Sequence, residues 1–549
     1  MQALLMTGLI LQLQTTIRSE FMLVALAQMN AKVGDLGGNE NAMLSAAYSA
    51  QEQGADLIIF SAHCLTGAPL EGLIENKNFA ASAVEHVEQF ASITPIPAIV
   101  SCIIEIEIED TEETVNAPGL FLVADGECQF LGIPQLEDDD ACLVLEVEDL
   151  KFAILMEEHF APECEMAEVD VFVEIAANYF EEGVACPAAR GELDRIRSIC
   201  RTSHADFAYV NPVGVNDGNV FAGGTMAMCS SGQVWHSCAI DTPEILIFDT
   251  DVAQLDPAEH NDDQYLLDVN ACRWDLLTLA IKDYVQKNNC KDVLIALSGG
   301  IDSAVVATLA VDALGSDNVH ALFLPGPYTS SESFEDAYAI ADNLGIDLKT
   351  ISINDIFNAS KNTMEQAYKT EFNGVAPENL QARIRANILM AVSNMYSYLV
   401  LNTGNKSEAA MGFTTLYGDS VGAFAPLGDV YKMEIYDLVE YRNSISPVIP
   451  KRIVEKAPSS ELYEGAKDSD RLPPYEILDS ILTAYIDADM SVQEIVNDGF
   501  DLETVNFVIK SIKDNEFKRR QEPICPHLDG NSLTQDRNWP ITNGWIDKM

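Results

Sequence analysis

The sequence predicts an α/β protein in two parts: two sheets flanked by helices over residues 22–250, then a doubly wound parallel sheet over 265–549. Three observations predict it. With 549 residues and 48% hydrophobic content, the chain is long and apolar enough for more than one core. Short apolar runs alternate with helical periodicity along both halves. In the second half each apolar run leads through a helix to the next run, as parallel strands with crossover helices require.

In the first half, LVALAQM (23–29) predicts a strand and NENAMLSAAYSAQEQG (39–54) a helix stopped by a glycine. ADLIIFSA (55–62) is a second buried strand. The series continues with 97–108, 119–126, 151–156, 169–177 and FAYVNPVG (207–214). The stretch 241–263 reads as the connection, with 251–264 as the linker. In the second half, DVLIALSGG (292–300) is strand then turn, and 302–315 is a helix. Strands at 318–326, 347–353 and 399–405 alternate with helices at 331–345 and 379–398. Ligands of such a sheet sit at the carboxyl ends of its strands.

Asp and Glu number 86 against 32 Lys and Arg, a net charge of −54. Such a surface repels nucleic-acid phosphates and anionic membranes, so neither is an expected partner. No stretch reaches the ~18 apolar residues of a membrane helix. Residues 1–21 lack a basic start and a cleavage motif, and read as an extension before Met22. The twelve cysteines are scattered without a C-x-x-C pair, which suits a reducing cytoplasm.

The chemistry is concentrated in Ser298-Gly299-Gly300-Ile301-Asp302-Ser303, directly after a strand and opening a helix. Two glycines allow a tight turn whose N–H groups, with the helix dipole, suit phosphate oxygens. The two serines can add hydroxyl donors, and Asp302 can hold Mg²⁺ beside the phosphates. No G-x-x-x-x-G-K-[ST] is present, so this is not a Walker loop.

The hexapeptide resembles the pyrophosphate loop of the N-type ATP pyrophosphatases. With Thr403-Gly404-Asn405-Lys406-Ser407-Glu408, Thr415-Leu416-Tyr417-Gly418-Asp419, the segments at 456–462, 472–476 and 517–521, and the ending Trp539–Trp545, residues 265–549 resemble NAD synthetase. The resemblance implies ATP binding by Ala296, Leu297, Ser298, Gly299, Gly300, Ile301, Asp302 and Ser303, with Thr403, Lys432 and Ser459. It implies Mg²⁺ at Asp302 and Glu408, and deamido-NAD contacts from Asn379, Arg383, Glu408 and Lys518. Lys518 could instead be a solvated helix face, and Arg383 a structural ion pair. Where that family usually has a lysine before Asp429, this chain has Gly428.

The first half, through VALAQMNAKVGDLGGNENA, GADLIIFSAHCLTGAPLEGL and AYVNPVGVNDGNVFAGGT, resembles the nitrilase-like glutaminase domain of glutamine-dependent NAD synthetases. That domain uses a Cys nucleophile, a Glu base and a Lys. Here the Glu position is Ala62 and the Cys position is Met156. The Lys should fall near 131–141, yet residues 78–150 contain no Lys or Arg. Cys64 beside His63 and Cys164 between two glutamates are poor substitutes. The expectation is a pseudo-glutaminase joined to a synthetase that uses ammonia, from a separate source if one is needed. The family further implies a cytoplasmic homo-oligomer. The alternatives are glutamine hydrolysis through a non-standard nucleophile, and a nucleotide-binding scaffold without turnover.

Overall fold

In the computed structural model the described residues are 11–13, 22–107, 114–132, 143–147, 150–156, 169–180, 190–250, 268–528, 531–534 and 536–545. The chain divides into two compact units, Met1–Leu267 and Asp268–Met549. The predicted linker at 251–264 lies outside the described residues.

The first unit holds a six-stranded and a seven-stranded sheet. Alternation along each strand assigns its two faces. Leu57 and Ile59 enter the core shared with Phe152, Val173 and Ala208 of the other sheet. Ile58 and Phe60 point the other way, under the helices Leu36–Glu52 and Lys77–Ile93. The helix Arg190–Ser203 covers the far face of the second sheet through Leu193, Ile196 and Cys200. The result is helix, sheet, sheet, helix.

Several expectations change. The first helix starts at Leu36, because the Asp35 side chain caps Gly38 N–H at 3.1 Å. FAYVNPVG is two strands, not one. Asp206–Val210 belongs to the seven-stranded sheet, while Val213–Asn216 forms a separate hairpin with Asn219–Ala222 beyond Pro212, which has no N–H to give. Glu244–Asp249, read as part of the connection, pairs antiparallel with Leu23–Gln28 as a sheet edge. Within the expected extension, Leu11–Leu13 pairs in parallel with Leu145–Val147.

The second unit follows the predicted repeat closely. Its parallel strands lie in the order Asp347–Thr350, Val319–Phe323, Val293–Ala296, Leu399–Val400. Chain order along the sheet is therefore third, second, first, fourth; all pairs are parallel, and the order of winding reverses between Val293–Ala296 and Leu399–Val400. Such a switch point opens a crevice at the strand ends. The fourth strand is shorter than expected, continuing past Val400 only as a single bridge from Leu401 to Phe424. Helices at Tyr475–Leu482, Val492–Asn497 and Leu502–Asp514 pack into a separate apolar cluster with Ala410 and Tyr431.

Candidate active site

Both strands at the switch point deliver a loop and a helix start. Val293–Ala296 runs through Leu297, whose N–H reaches Leu322 O at 2.9 Å, into Ser298. The turn is held by its own hydroxyls. Ser298 and Ser303 Oγ lie 3.1 Å apart, Ser303 Oγ donates to Gly300 O at 3.0 Å, and Gly300 N–H donates to Ser298 Oγ at 3.2 Å. Ile301 is buried beneath as the helix Ile301–Leu314 begins.

Gly299 is required twice over. Its φ is +83°, and a Cβ there would lie 2.4 Å from the backbone oxygen of Ser333. Gly299→Ala is therefore expected to lower the thermal midpoint and, if the loop N–H groups hold ATP phosphates, to raise the KM for ATP by about tenfold or more. Thermal melts and ATP saturation curves measure both effects.

From the neighbouring strand, Thr403 and Gly404 lead to Asn405, whose side chain accepts from Glu408 N–H at 2.9 Å. Glu408 Oε2 in turn accepts from Asn405 N–H at 3.2 Å, a reciprocal cap. Asn405 Nδ2 reaches Asp302 Oδ1 at 3.4 Å. Lys432, the first residue of the helix Lys432–Ile445, donates to both Asp302 oxygens at 2.7 and 2.5 Å and is only 1% exposed. Burial works against its charge, but Asp302 and Glu408 outweigh it and hold the ammonium above its ordinary range. Burial and the neighbouring Asp302 push Glu408 well above the usual carboxylate range.

Ser459 lies on the loop after Lys451–Glu455, where its Oγ donates to Ala466 O at 2.5 Å. The same loop carries Asp468, which is buried, accepts from Tyr475 OH at 3.0 Å through Oδ2, and has no hydrogen-bond partner at Oδ1. Burial raises its pKa, and both Lys432 and Asp302 are near enough to act on it. Sequence reasoning did not single out Asp468, one of several acids in this stretch, which opens the short turn Asp468–Asp470.

Magnesium suits this donor set without a dedicated cage. It prefers hard oxygens and commonly takes one or two carboxylates plus phosphate oxygens. Asp302 and Glu408 could supply such a pair, and Asp468 Oδ1 is a buried acceptor without a hydrogen-bond partner beside them. Among the described residues no group of three or more His, Cys, Asp or Glu could hold a metal alone.

The residues expected to contact the dinucleotide meet at a different loop, 412–419. Asn379 Oδ1 accepts from Thr415 Oγ1 at 3.1 Å. Arg383 Nε donates to Leu416 O at 3.1 Å. Lys518 Nζ donates to Gly412 O at 2.6 Å and Thr414 O at 2.8 Å. Lys518 is half-buried, which lowers its pKa, so the reading as a solvated face is wrong. Gly428 has no space for a side chain: a Cβ would lie 2.6 Å from Cys525 Cβ.

In the first unit, the strand Leu150–Met156 lies beside Val171–Ile175, with Met156 opposite Ile175. Ala62 N–H donates to Ala176 O at 3.1 Å, so positions 62 and 156 meet at one end of the sandwich. Ala62 is buried and offers no functional group. His63 and Cys64 follow the strand Leu57–Phe60 instead of lying on it, and His63 has a φ of 56°. Strand alternation therefore does not separate them. Burial does the disqualifying, pushing the Cys64 thiol up to about 12. Cys164 and residues 133–142 lie outside the described residues.

The sequence pattern of the NAD synthase family matches residues 273–522. The glutamine-dependent NAD(+) synthetase of Acinetobacter baylyi is 34% identical over 95% of this chain and 98% of its own length. That of Thermotoga maritima is 33% identical over 96% and 99%. Among solved structures, the glutamine-dependent NAD+ synthetase of Acinetobacter baumannii in complex with ADP is 30% identical, covering 96% of this chain and 100% of that one with a TM-score of 0.71. The Cytophaga hutchinsonii structure, at 17% identity and a TM-score of 0.80, supports the fold over 96% and 98%. With identity of this order along nearly the whole length of both proteins, the chain belongs to the glutamine-dependent NAD(+) synthetase family.

Proposed function

We propose that this protein converts deamido-NAD to NAD at the expense of ATP, with ammonia as its nitrogen source. The observation that carries the reading is the grouping of the 298–303 loop, Asp302, Lys432 and Glu408 at the switch point. The N–H groups of the loop and the Lys432 ammonium would hold the ATP phosphates, while Arg383, Asn379 and Lys518 would hold the dinucleotide. Mg²⁺ at Asp302 and Glu408 would supply charge neutralisation of the phosphates. The nicotinate carboxylate then attacks the α-phosphorus, pyrophosphate leaves, and ammonia displaces AMP from the resulting acyl adenylate. A very acidic protein handling two polyanions needs such local cations.

Ammonia follows from the first unit, where Ala62 carries no base, Met156 no thiol, and residues 78–150 no Lys or Arg. Glutamine use remains the rival reading, because the relatives are named glutamine-dependent. Product analysis tests the synthetase step. With ATP, Mg²⁺, deamido-NAD and ammonium, the expected products are NAD, AMP and pyrophosphate in equal amounts. ADP and phosphate would place the cleavage between the β and γ phosphates and overturn the assignment.

A further inference from the structure

Lys432 is nearly inaccessible, so its ammonium is positioned by where its backbone is held. The residue before it, Tyr431, sends its hydroxyl to Asp487 Oδ2 at 2.8 Å. The first two N–H groups of the helix Lys432–Ile445 are met by other parts of the chain. Lys432 N–H donates to Ser407 Oγ at 2.9 Å, and Met433 N–H donates to Asp479 Oδ2 at 2.8 Å. Ser407 Oγ donates to Asp479 Oδ1 at 2.6 Å. Ser407, Lys432 and Asp479 are 0%, 1% and 6% exposed, so no water competes freely for these bonds.

We infer that Asp479 is a positioning residue for the adenylation step, fixing through Ser407 and the Met433 N–H the backbone from which Lys432 reaches Asp302. The inference rests on the synthetase reading above. One carboxylate ties two helix starts together: Ser407 immediately precedes Glu408, and Met433 immediately follows Lys432. A negative charge at a helix N-terminus also favours that helix. Asp479 lies on the helix Tyr475–Leu482, whose Tyr475 ring centroid is 5.6 Å from Lys432 Nζ, so the same element flanks the ammonium directly. A misplacement of about 1 Å at a reacting centre can cost on the order of 10²-fold in rate. Losing the tie would therefore be felt in turnover before it is felt in dinucleotide binding.

The test is a mutant cycle. Asp479→Asn keeps the shape but offers one acceptor fewer, and Ser407→Ala removes the relay while leaving Asp479 in place. Each is made in the wild-type and Lys432→Ala backgrounds and assayed with saturating ATP, Mg²⁺ and ammonium, alongside thermal midpoints. In the wild-type background kcat should fall about tenfold or more, while the KM for deamido-NAD stays within about twofold, since the 412–419 loop is untouched. In the Lys432→Ala background the same substitutions should change kcat by less than about twofold. Equal losses in both backgrounds, or wild-type kcat in Asp479→Asn, overturn the inference. Full turnover by Lys432→Ala alone would instead overturn the synthetase role given to Lys432. Should Asp479→Asn fail to fold, Ser407→Ala carries the same comparison.

Discussion

Given glutamine as its only nitrogen source, the purified protein is expected to form no NAD beyond what contaminating ammonia allows, while ammonium supports full synthesis. Amide hydrolysis through a thioester needs a thiolate, a base and a cation or N–H groups for the oxyanion. Position 62 is a buried alanine bonded only through its backbone to Ala176. The nearest described thiol in sequence, Cys64, is held far from ionisation by burial. Each missing group costs several orders of magnitude in related chemistry. For that reason Met156→Cys alone should restore nothing, because the base and cation stay absent. The check is labelled glutamine, followed as glutamate against NAD. Glutamate release matching NAD formation, with contaminating glutaminase excluded, would restore the rival reading.

Asp302→Asn and Glu408→Gln should each lower turnover by on the order of 10²-fold at saturating Mg²⁺, if both carboxylates hold the metal. Their effects on stability should differ. Sequence position suggests an exposed strand-end site that tolerates either change. Asp302, however, is the partner of the buried Lys432, and neutralising it leaves that ammonium poorly paired. Removing one member of a buried pair costs of the order of 3 kcal/mol, so Asp302→Asn should also melt earlier. Glu408 Oε2 accepts from Asn405 N–H at 3.2 Å, a bond that an amide oxygen can also accept, and Glu408→Gln should keep its melting point. Magnesium titrations of kcat, paired with thermal melts, separate the two. Near-normal turnover in both variants would remove the metal assignment.

The parallel sheet of the second unit was legible because its central strands are short and almost wholly apolar, with His320 the one polar residue, and its helices stop at Gly315 and Gly345. The 298–303 loop was legible because its residues are contiguous. Strands such as Met226–Met228 and Val234–Ser237 were not, being three or four residues long and rich in Met, Ser and His. The helix Lys77–Ile93 was passed over although Asn76 caps it in the expected way. Ser407 lies inside the Thr403–Glu408 motif, but its bond to Lys432 N–H, like the positions of Asp468 and Asp479, has no local signal. Their roles arise only when three distant segments converge on Lys432.

The contact between Gly428 and Cys525 constrains how this chain can change. Ala425 N–H reaches Ile524 O at 2.8 Å and Phe424 bridges to Ile524, so the late segment is docked against the turn that carries Gly428. With 2.6 Å between a Cβ at 428 and that of Cys525, a lysine cannot be installed by one substitution. Replacing Cys525 with glycine would relieve part of the clash but would loosen the docking of everything that follows. The two positions are therefore coupled: a cation at 428 requires two coordinated changes, each unfavourable alone.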